Sequence, residues 1–253
     1  MSVLIFDSGL GGLSIRREIQ QLRPDLSIHQ FADHAWLPYG AKSADDICSR
    51  LLSLIPEMVE RVNASLLVVA CNTASTHTLP QLRASLDIPV VGVVPAIKPA
   101  ASISSNKEII ILATERTIAS PYLDKLIQQH AADCKITCIG ANRLVELAES
   151  KLSGCAVDTT ELRRLLPSAE IPPTADTLVL ACTHFPLLKQ ELQAVFPEGI
   201  TFVDSGSAIA RRVSDLTPIQ EHSEPTEFFS TGTLNRATIQ LLQAELFASV
   251  TAL

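Results

Sequence analysis

Short apolar runs recur along the chain at residues 3–6, 26–31, 66–70, 90–94, 109–112, 135–139, 177–181, 200–203 and 227–230. Between them lie segments whose apolar positions repeat with helical spacing, at 13–22, 44–62, 76–86, 118–129, 187–195, 208–216 and 234–247. This β-α-β-α alternation predicts an α/β fold built on parallel sheet. Pro56 falls inside the second helical segment and is expected to kink or shorten it.

With 253 residues, both a single large sheet and a two-lobed arrangement are open. The segment 95–105, with Pro95 and Pro99, suggests a crossing between lobes, and a second crossing near Asp204 would bring the chain back. Residues 1–94 with 205–253 would then form one lobe and 95–204 the other. A repeat supports two lobes. LVVACNTAS at 67–75 and LVLACTHFP at 178–186 are both apolar runs that end in Ala-Cys and break into small polar residues. Ligands of open α/β sheets bind outside the carboxyl ends of the strands, so a cleft between the lobes would carry Cys71 on one wall and Cys182 on the other.

Hydrophobic residues make up 47% of the chain and the mean hydropathy is +0.25, as strands buried on both faces require. A net charge of −7 offers no basic surface to a nucleic acid, and no lysine or arginine cluster reads as a membrane patch. The start, MSVLIFDSG, lacks the charged region of a signal peptide, and no apolar run reaches eighteen residues. These features predict a cytoplasmic protein whose six cysteines stay reduced.

A free cysteine is most often a small buried hydrophobe, and Cys48, Cys134, Cys138 and Cys155 carry nothing that argues otherwise. Cys71 and Cys182 differ. Each ends a predicted strand where Thr73 or Thr183 could cap a following helix, and a helix start stabilises thiolate. Cys134 and Cys138 have the wrong spacing for a zinc ribbon, and the pair Cys182 and His184 lacks further ligands, so no metal is predicted. FDSGLGGLS at 6–14 is neither a dinucleotide fingerprint nor a P-loop. Gly9, Gly11 and Gly12 suit a tight strand-to-helix turn, while Asp7, Ser8 and free backbone N–H groups suit a small zwitterion. The loop 32–43 holds the only Trp and one of two Tyr residues, and Pro38-Tyr39-Gly40 reads as a surface turn or a substrate-facing lid. Thr114 and Thr117 follow another strand as helix-cap residues. His184, two positions after a thiol, could form a Cys-His couple. Glu149 reads by default as a carboxylate on a helix surface.

Taken together and in order, FDSGLGG, PYG, ACNTAS, GVVPAIKPA, LATERT and ACTHFPLL resemble the glutamate racemases of the aspartate/glutamate racemase superfamily, over essentially the whole chain. The resemblance implies two pseudo-symmetric lobes, each a mostly parallel sheet flanked by helices, with the active site in the cleft between them. It also implies no cofactor, homodimers as a common assembly, and a supply of D-glutamate for peptidoglycan. Position by position, Cys71 and Cys182 fall on the catalytic cysteines, Asp7 on the acid that assists the first and His184 on the histidine beside the second. Ser8, Pro38, Tyr39, Gly40, Asn72, Thr73, Thr114, Thr117 and Thr183 fall on substrate-contacting positions, as do Asp7 and His184. Glu149 falls on a further acidic residue, although Glu146 stands where the family commonly has proline.

Racemisation at Cα takes a proton from one face and returns one to the other, which two thiols of opposite protonation accomplish in one passage. An ionised Asp7 would raise the pKa of a neighbouring thiol, so orientation or proton relay suits it better. Two other readings compete. A Cys-His-Asp amide hydrolase using Cys182 and His184 leaves Cys71 unexplained, and a two-lobed amino-acid binding protein needs no thiols.

Overall fold

The structure, a computed structural model, describes residues 2–166, 171–219 and 224–253. A first sheet contains β1 (Ser2–Asp7), β2 (Ser27–Ala32), β3 (Ala64–Val69), β4 (Val90–Gly92), β9 (Glu227–Ser230) and β10 (Ser249–Ala252), in the order β10-β9-β2-β1-β3-β4. A second contains β5 (Glu108–Ala113), β6 (Lys135–Gly140), β7 (Thr177–Ala181) and β8 (Thr201–Val203), in the order β6-β5-β7-β8. All described pairings are parallel. The run β2-β1-β3-β4 and the whole second sheet share one connectivity, so β3 and β7, which precede the two cysteines, occupy equivalent places.

Parallel strands bury both faces, and each strand divides its residues accordingly. In β1, Leu4 and Phe6 pack on Ile47, Leu51 and Ile55 of α2 (Ala44–Arg61), whereas Val3 and Ile5 pack on Ile15 and Ile19 of α1 (Gly12–Leu22) and on Ile209 and Val213 of α10 (Gly206–Leu216). In β7, Leu178 and Leu180 join Leu144 and Leu147 of α7 (Arg143–Leu152) and Leu162 of α8 (Thr159–Leu165). Val179 and Ala181 face α4 (Ile97–Ile103) and α6 (Pro121–His130).

The chain leaves the first sheet after β4 and returns after β8, and the two passages touch, the Ser205 hydroxyl donating to the Val94 carbonyl at 2.6 Å. The segment 95–105, read as a crossing, also holds α4. Its Pro99 lies in the first turn, where a proline's missing N–H costs nothing. α2 runs through Pro56 from Ala44 to Arg61, so the proline does not shorten it. An interior proline costs about 3 kcal/mol, while burying Ile47, Leu51, Ile55 and Met58 returns roughly 1.5–3 kcal/mol each. α3 (Asn72–Ser85) begins directly after Cys71 rather than at Thr76. The segment 118–129 divides into α5 (Glu115–Ile118) and α6, which Pro121 opens. The segment 187–195 divides into a 3₁₀ turn, Phe185–Leu188, and α9 (Lys189–Gln193). The last helix, α11 (Arg236–Ala244), stops short of Phe247 and leaves room for β10, which the apolar pattern misses.

Candidate active site

The carboxyl ends of β1, β2 and β3 meet those of β5 and β7, and hydrogen bonds link the two sets. Asp7, the last residue of β1, is fully buried; its Oδ1 accepts the Gly9 N–H at 2.9 Å and its Oδ2 the Thr183 hydroxyl at 2.8 Å. The Ser14 hydroxyl donates to the Thr183 carbonyl at 2.9 Å. Thr73, Thr114 and Thr117 form a triangle of hydroxyls with edges of 2.9, 3.2 and 3.0 Å. Thr73 and Thr183 therefore spend their hydroxyls on contacts between the two sheets and cap no helix, contrary to expectation.

Cys71 is the N-cap of α3, 6% exposed, with its Sγ 3.5 Å from the Ser8 hydroxyl. A helix start was expected to lower its pKa, yet burial and the neighbouring Asp7 push the thiol up to about 12. The Ser8 hydroxyl and the Ala74 N–H offset this only in part, and Cys182 adds to the rise. Cys182, 7% exposed, has another partner, Nδ1 of His184, at 3.9 Å. His184 Nε2 lies 2.7 Å from Glu149 Oε1. Burial disfavours an imidazolium here, but the bonds to Cys182 and Glu149, with the fields of Glu149 and Asp7, raise the pKa of His184 well above its usual value. The charged ring then donates to the carboxylate through Nε2 and to the thiol through Nδ1.

Glu149 is a correction to the default reading. Its side chain, on α7, is 13% exposed and turned inward; Oε1 also accepts the Leu10 N–H at 2.6 Å, and Oε2 meets His34 Nε2 at 2.9 Å. Burial would raise this carboxyl's pKa, but hydrogen bonds from His184 and His34 prevail and bring it down to about 2. Asp7 moves the other way. Burial raises its pKa against the pull of His184, Gly9 and Thr183.

The glycines after Asp7 do a different job from the one their turn suggested. Neither Gly9, Gly11 nor Gly12 has positive φ, so the backbone does not demand glycine. A Cβ on Gly9 would lie 2.2 Å from Glu149 Oε1, and one on Gly11 would lie 2.5 Å from both His184 Nδ1 and Thr183 Oγ1. They let strand ends of the first sheet meet residues of the second.

The loop 38–40 is likewise placed differently from a lid. The Tyr39 ring is buried against Phe6 and Trp36, and its hydroxyl donates to Asp33 Oδ2 at 2.7 Å. Asp33 also takes two hydrogen bonds from Arg50 and one from Thr231. Burial and Asp33 push the Tyr39 phenol far up, so it stays neutral. Gly40, next in sequence to the Tyr39 that follows Pro38, presses on Thr114, where a Cβ would approach to 3.0 Å. Asn72, the first residue of α3, has a buried Nδ2 with no hydrogen-bond partner among the described residues.

Sequence reasoning missed Asp33, His34 and the Leu10 N–H. The first two stand in the loop singled out for its aromatics, but no local pattern joins His34 to a carboxylate 115 positions away.

Two nearly enclosed thiols stand at equivalent strand ends, Cys71 beside an acid and a serine and Cys182 beside a histidine held by a carboxylate. The chain belongs to the Asp/Glu/Hydantoin racemase family, whose pattern it matches over residues 13–213, and it is an isomerase of the amino-acid racemase class. Within that family it is similar to glutamate racemases. That of Salmonella typhimurium is 50% identical over 225 residues, 88% of this chain and 78% of the relative. The glutamate racemase of Escherichia coli, solved with L-glutamate and the activator UDP-MurNAc-Ala, superposes with a TM-score of 0.94 at 43% identity, over 100% of this chain and 97% of that one. The RacE1 isoform of Bacillus anthracis gives 0.84 at 28% identity, over 100% and 97%.

Proposed function

We propose that this protein is a cofactor-independent glutamate racemase that exchanges the α-proton between Cys71 and Cys182. The observation that carries this reading is the equivalence of the two thiols: each follows the same strand of a repeated four-strand unit, and each has its own proton-handling neighbours. In one direction the Cys182 thiolate takes the α-proton of L-glutamate. The S–H bond forms, the Cα–H bond breaks, and the electron pair spreads into the α-carboxylate. The Cys71 thiol then delivers its proton to the opposite face and is left as thiolate. D-glutamate runs the same steps in reverse.

His184, held by Glu149, suits the Cys182 side, because it turns a ring nitrogen to the Cys182 sulfur at 3.9 Å and can exchange protons there. Asp7, buried and raised in pKa, suits proton relay or orientation beside Cys71 rather than charge stabilisation. The unpaired amide of Asn72, the hydroxyls of Ser8, Thr73, Thr114, Thr117 and Thr183, and the backbone of Pro38-Tyr39-Gly40 supply donors for two carboxylates. Residues 1–94 with 205–253 and residues 95–204 act as two lobes that part to admit substrate, since neither thiol is otherwise within reach. Among the described residues no helix is long and apolar enough to cross a membrane. The cellular role is a cytoplasmic supply of D-glutamate for peptidoglycan.

Incubation with L-glutamate in D₂O, without added cofactor, tests the reading when optical rotation and α-deuterium are followed together. We expect rotation to decay as deuterium enters the product, with Cys71→Ala and Cys182→Ala both inactive. Binding without α-proton exchange would refute it. The Cys182, His184 and Glu149 line also fits a thiol hydrolase, which would instead show an acyl adduct on Cys182 by mass spectrometry and tolerate Cys71→Ala.

A further inference from the structure

The Glu149 carboxylate has a second imidazole that the function above does not use. Oε1 is already shared by the Leu10 N–H and His184, whereas Oε2 has His34 Nε2 at 2.9 Å. His34 opens the 3₁₀ turn, His34–Trp36, that follows β2, and its Nδ1 lies 3.4 Å from the Ser230 hydroxyl on β9. The Ser230 hydroxyl also lies 2.8 Å from the Gly232 carbonyl, to which it donates. The result is a continuous line from Cys182 through His184, Glu149 and His34 to Ser230, crossing from the second sheet to the first. Cys71 has other neighbours: the Ser8 hydroxyl, the Ala74 N–H and Asp7.

We propose that, given the two-thiol racemase reading, His34 is a positioning residue for the Cys182 half of the reaction. A carboxylate held by one oxygen still turns about its last side-chain bond. Held by both, it fixes the plane in which it receives His184 Nε2–H, and so the direction in which His184 Nδ1 faces the thiol. The neighbouring Asp33 offers His34 no alternative partner role, because Arg50, Tyr39 and Thr231 engage both its oxygens. The connection is also specific in length: a ring nitrogen at the Nε2 position reaches Glu149, and one at the Nδ1 position reaches only Ser230.

That geometry selects the variants. Gln places an amide N–H near the position of Nε2, Asn near that of Nδ1, and Ala neither. A racemase has an equilibrium constant of one, so kcat/KM must change equally in both directions whichever half is damaged. Isotope effects separate the halves. Given the assignment above, L-[2-²H]glutamate reports proton removal by Cys182 and D-[2-²H]glutamate removal by Cys71.

For His34→Ala and His34→Asn we expect kcat/KM to fall about ten- to a hundredfold, as misplacement of a reacting group by a fraction of an ångström to 1 Å commonly costs. The isotope effect on kcat/KM should rise with the L isomer and fall with the D isomer. His34→Gln should lie within about threefold of the parent, with both isotope effects near parental values. Isotope effects that stay fixed or move together in His34→Asn, or His34→Gln no better than His34→Asn, would overturn the proposal and leave His34 a structural tie. The Gln and Asn pair decides the matter even where His34→Ala does not fold. A parent protein that does not racemise glutamate would refute the underlying reading instead, a separate and prior outcome.

Discussion

The Asp7 carboxylate accepts the hydroxyl proton of Thr183 at 2.8 Å; Asp7 ends β1 of the first sheet, and Thr183 lies two residues past the end of β7 in the second. The acid nearest one thiol is therefore held by the residue next to the other. Parting the sheets would break that bond and hydrate Asp7, and its pKa, raised by burial, would relax toward the ordinary carboxylate range. Given the proposed parting of the two lobes, closure and the protonation of Asp7 would be linked.

Gly11→Ala tests whether clearance, rather than backbone freedom, is the reason for glycine. Gly11 has φ −54° and ψ −34°, comfortable for alanine, but the added methyl would stand 2.5 Å from His184 and Thr183. We expect an unchanged circular dichroism spectrum and a turnover reduced about a hundredfold, the cost of displacing a reacting group by about 1 Å. Retained turnover would show that the sheets have slack.

Tyr39→Phe separates a buried ring from a substrate-facing one. Losing the hydroxyl removes one donor from Asp33, a charged acceptor that keeps Arg50 and Thr231, so we expect a loss of about 1–2 kcal/mol, or roughly 2–6 °C in Tm. KM should move less than twofold. A raised KM with unchanged melting would point to the lid reading after all.

Thiol alkylation followed by mass spectrometry tests the environment of Cys71. With its pKa at about 12, the thiolate fraction at pH 7 is on the order of one in 10⁵. Its alkylation should speed up about tenfold per pH unit up to pH 9 without a plateau, and more slowly in Ser8→Ala, which loses a bond favouring thiolate. The exposed Cys138 and Cys155 should be modified first. A plateau near pH 8 would contradict this.

Glu149 gives acid stability with a definite sign. Folding lowers its pKa from 4.5 to about 2, so its contribution is complete above pH 4.5 and is lost as pH falls toward 2. At 1.36 kcal/mol per unit that contribution is about 3 kcal/mol. Seen from His184, whose pKa is raised, the same pairing is fully present below pH 6.5 and is lost as pH rises through the folded value. The Tm gap between the parent and Glu149→Gln should therefore be widest near pH 5–6 and narrow toward pH 3. A gap independent of pH would mean that Glu149 acts by shape alone.

Much of this was legible in the sequence because it is written locally. Strand ends at Cys71 and Cys182 follow from apolar runs that stop at a thiol, and α1 and α2 from their spacing. What escaped depends on partners distant in sequence. Glu149 looks like any helix-surface carboxylate until α7 turns it toward His184 and His34. Gly9 and Gly11 read as turn residues because nothing nearby reveals a side chain from the second sheet above them. β10, Ser249–Ala252, has only one strongly apolar residue and becomes a strand by pairing with β9. Pro99, read as part of a crossing, lies in the first turn of α4, and Pro121, inside a segment read as one helix, opens α6.

The three hydroxyls of Thr73, Thr114 and Thr117 carry a consequence of their own. Each has one hydrogen free to swing about its C–O bond and two lone pairs. Turned inward, they satisfy one another and leave no orphan polar atom in a buried place. Turned outward, they would present up to three donors. The cluster is a set of rotors that can change its electrostatic face by moving hydrogens alone, while the surrounding scaffold stands still.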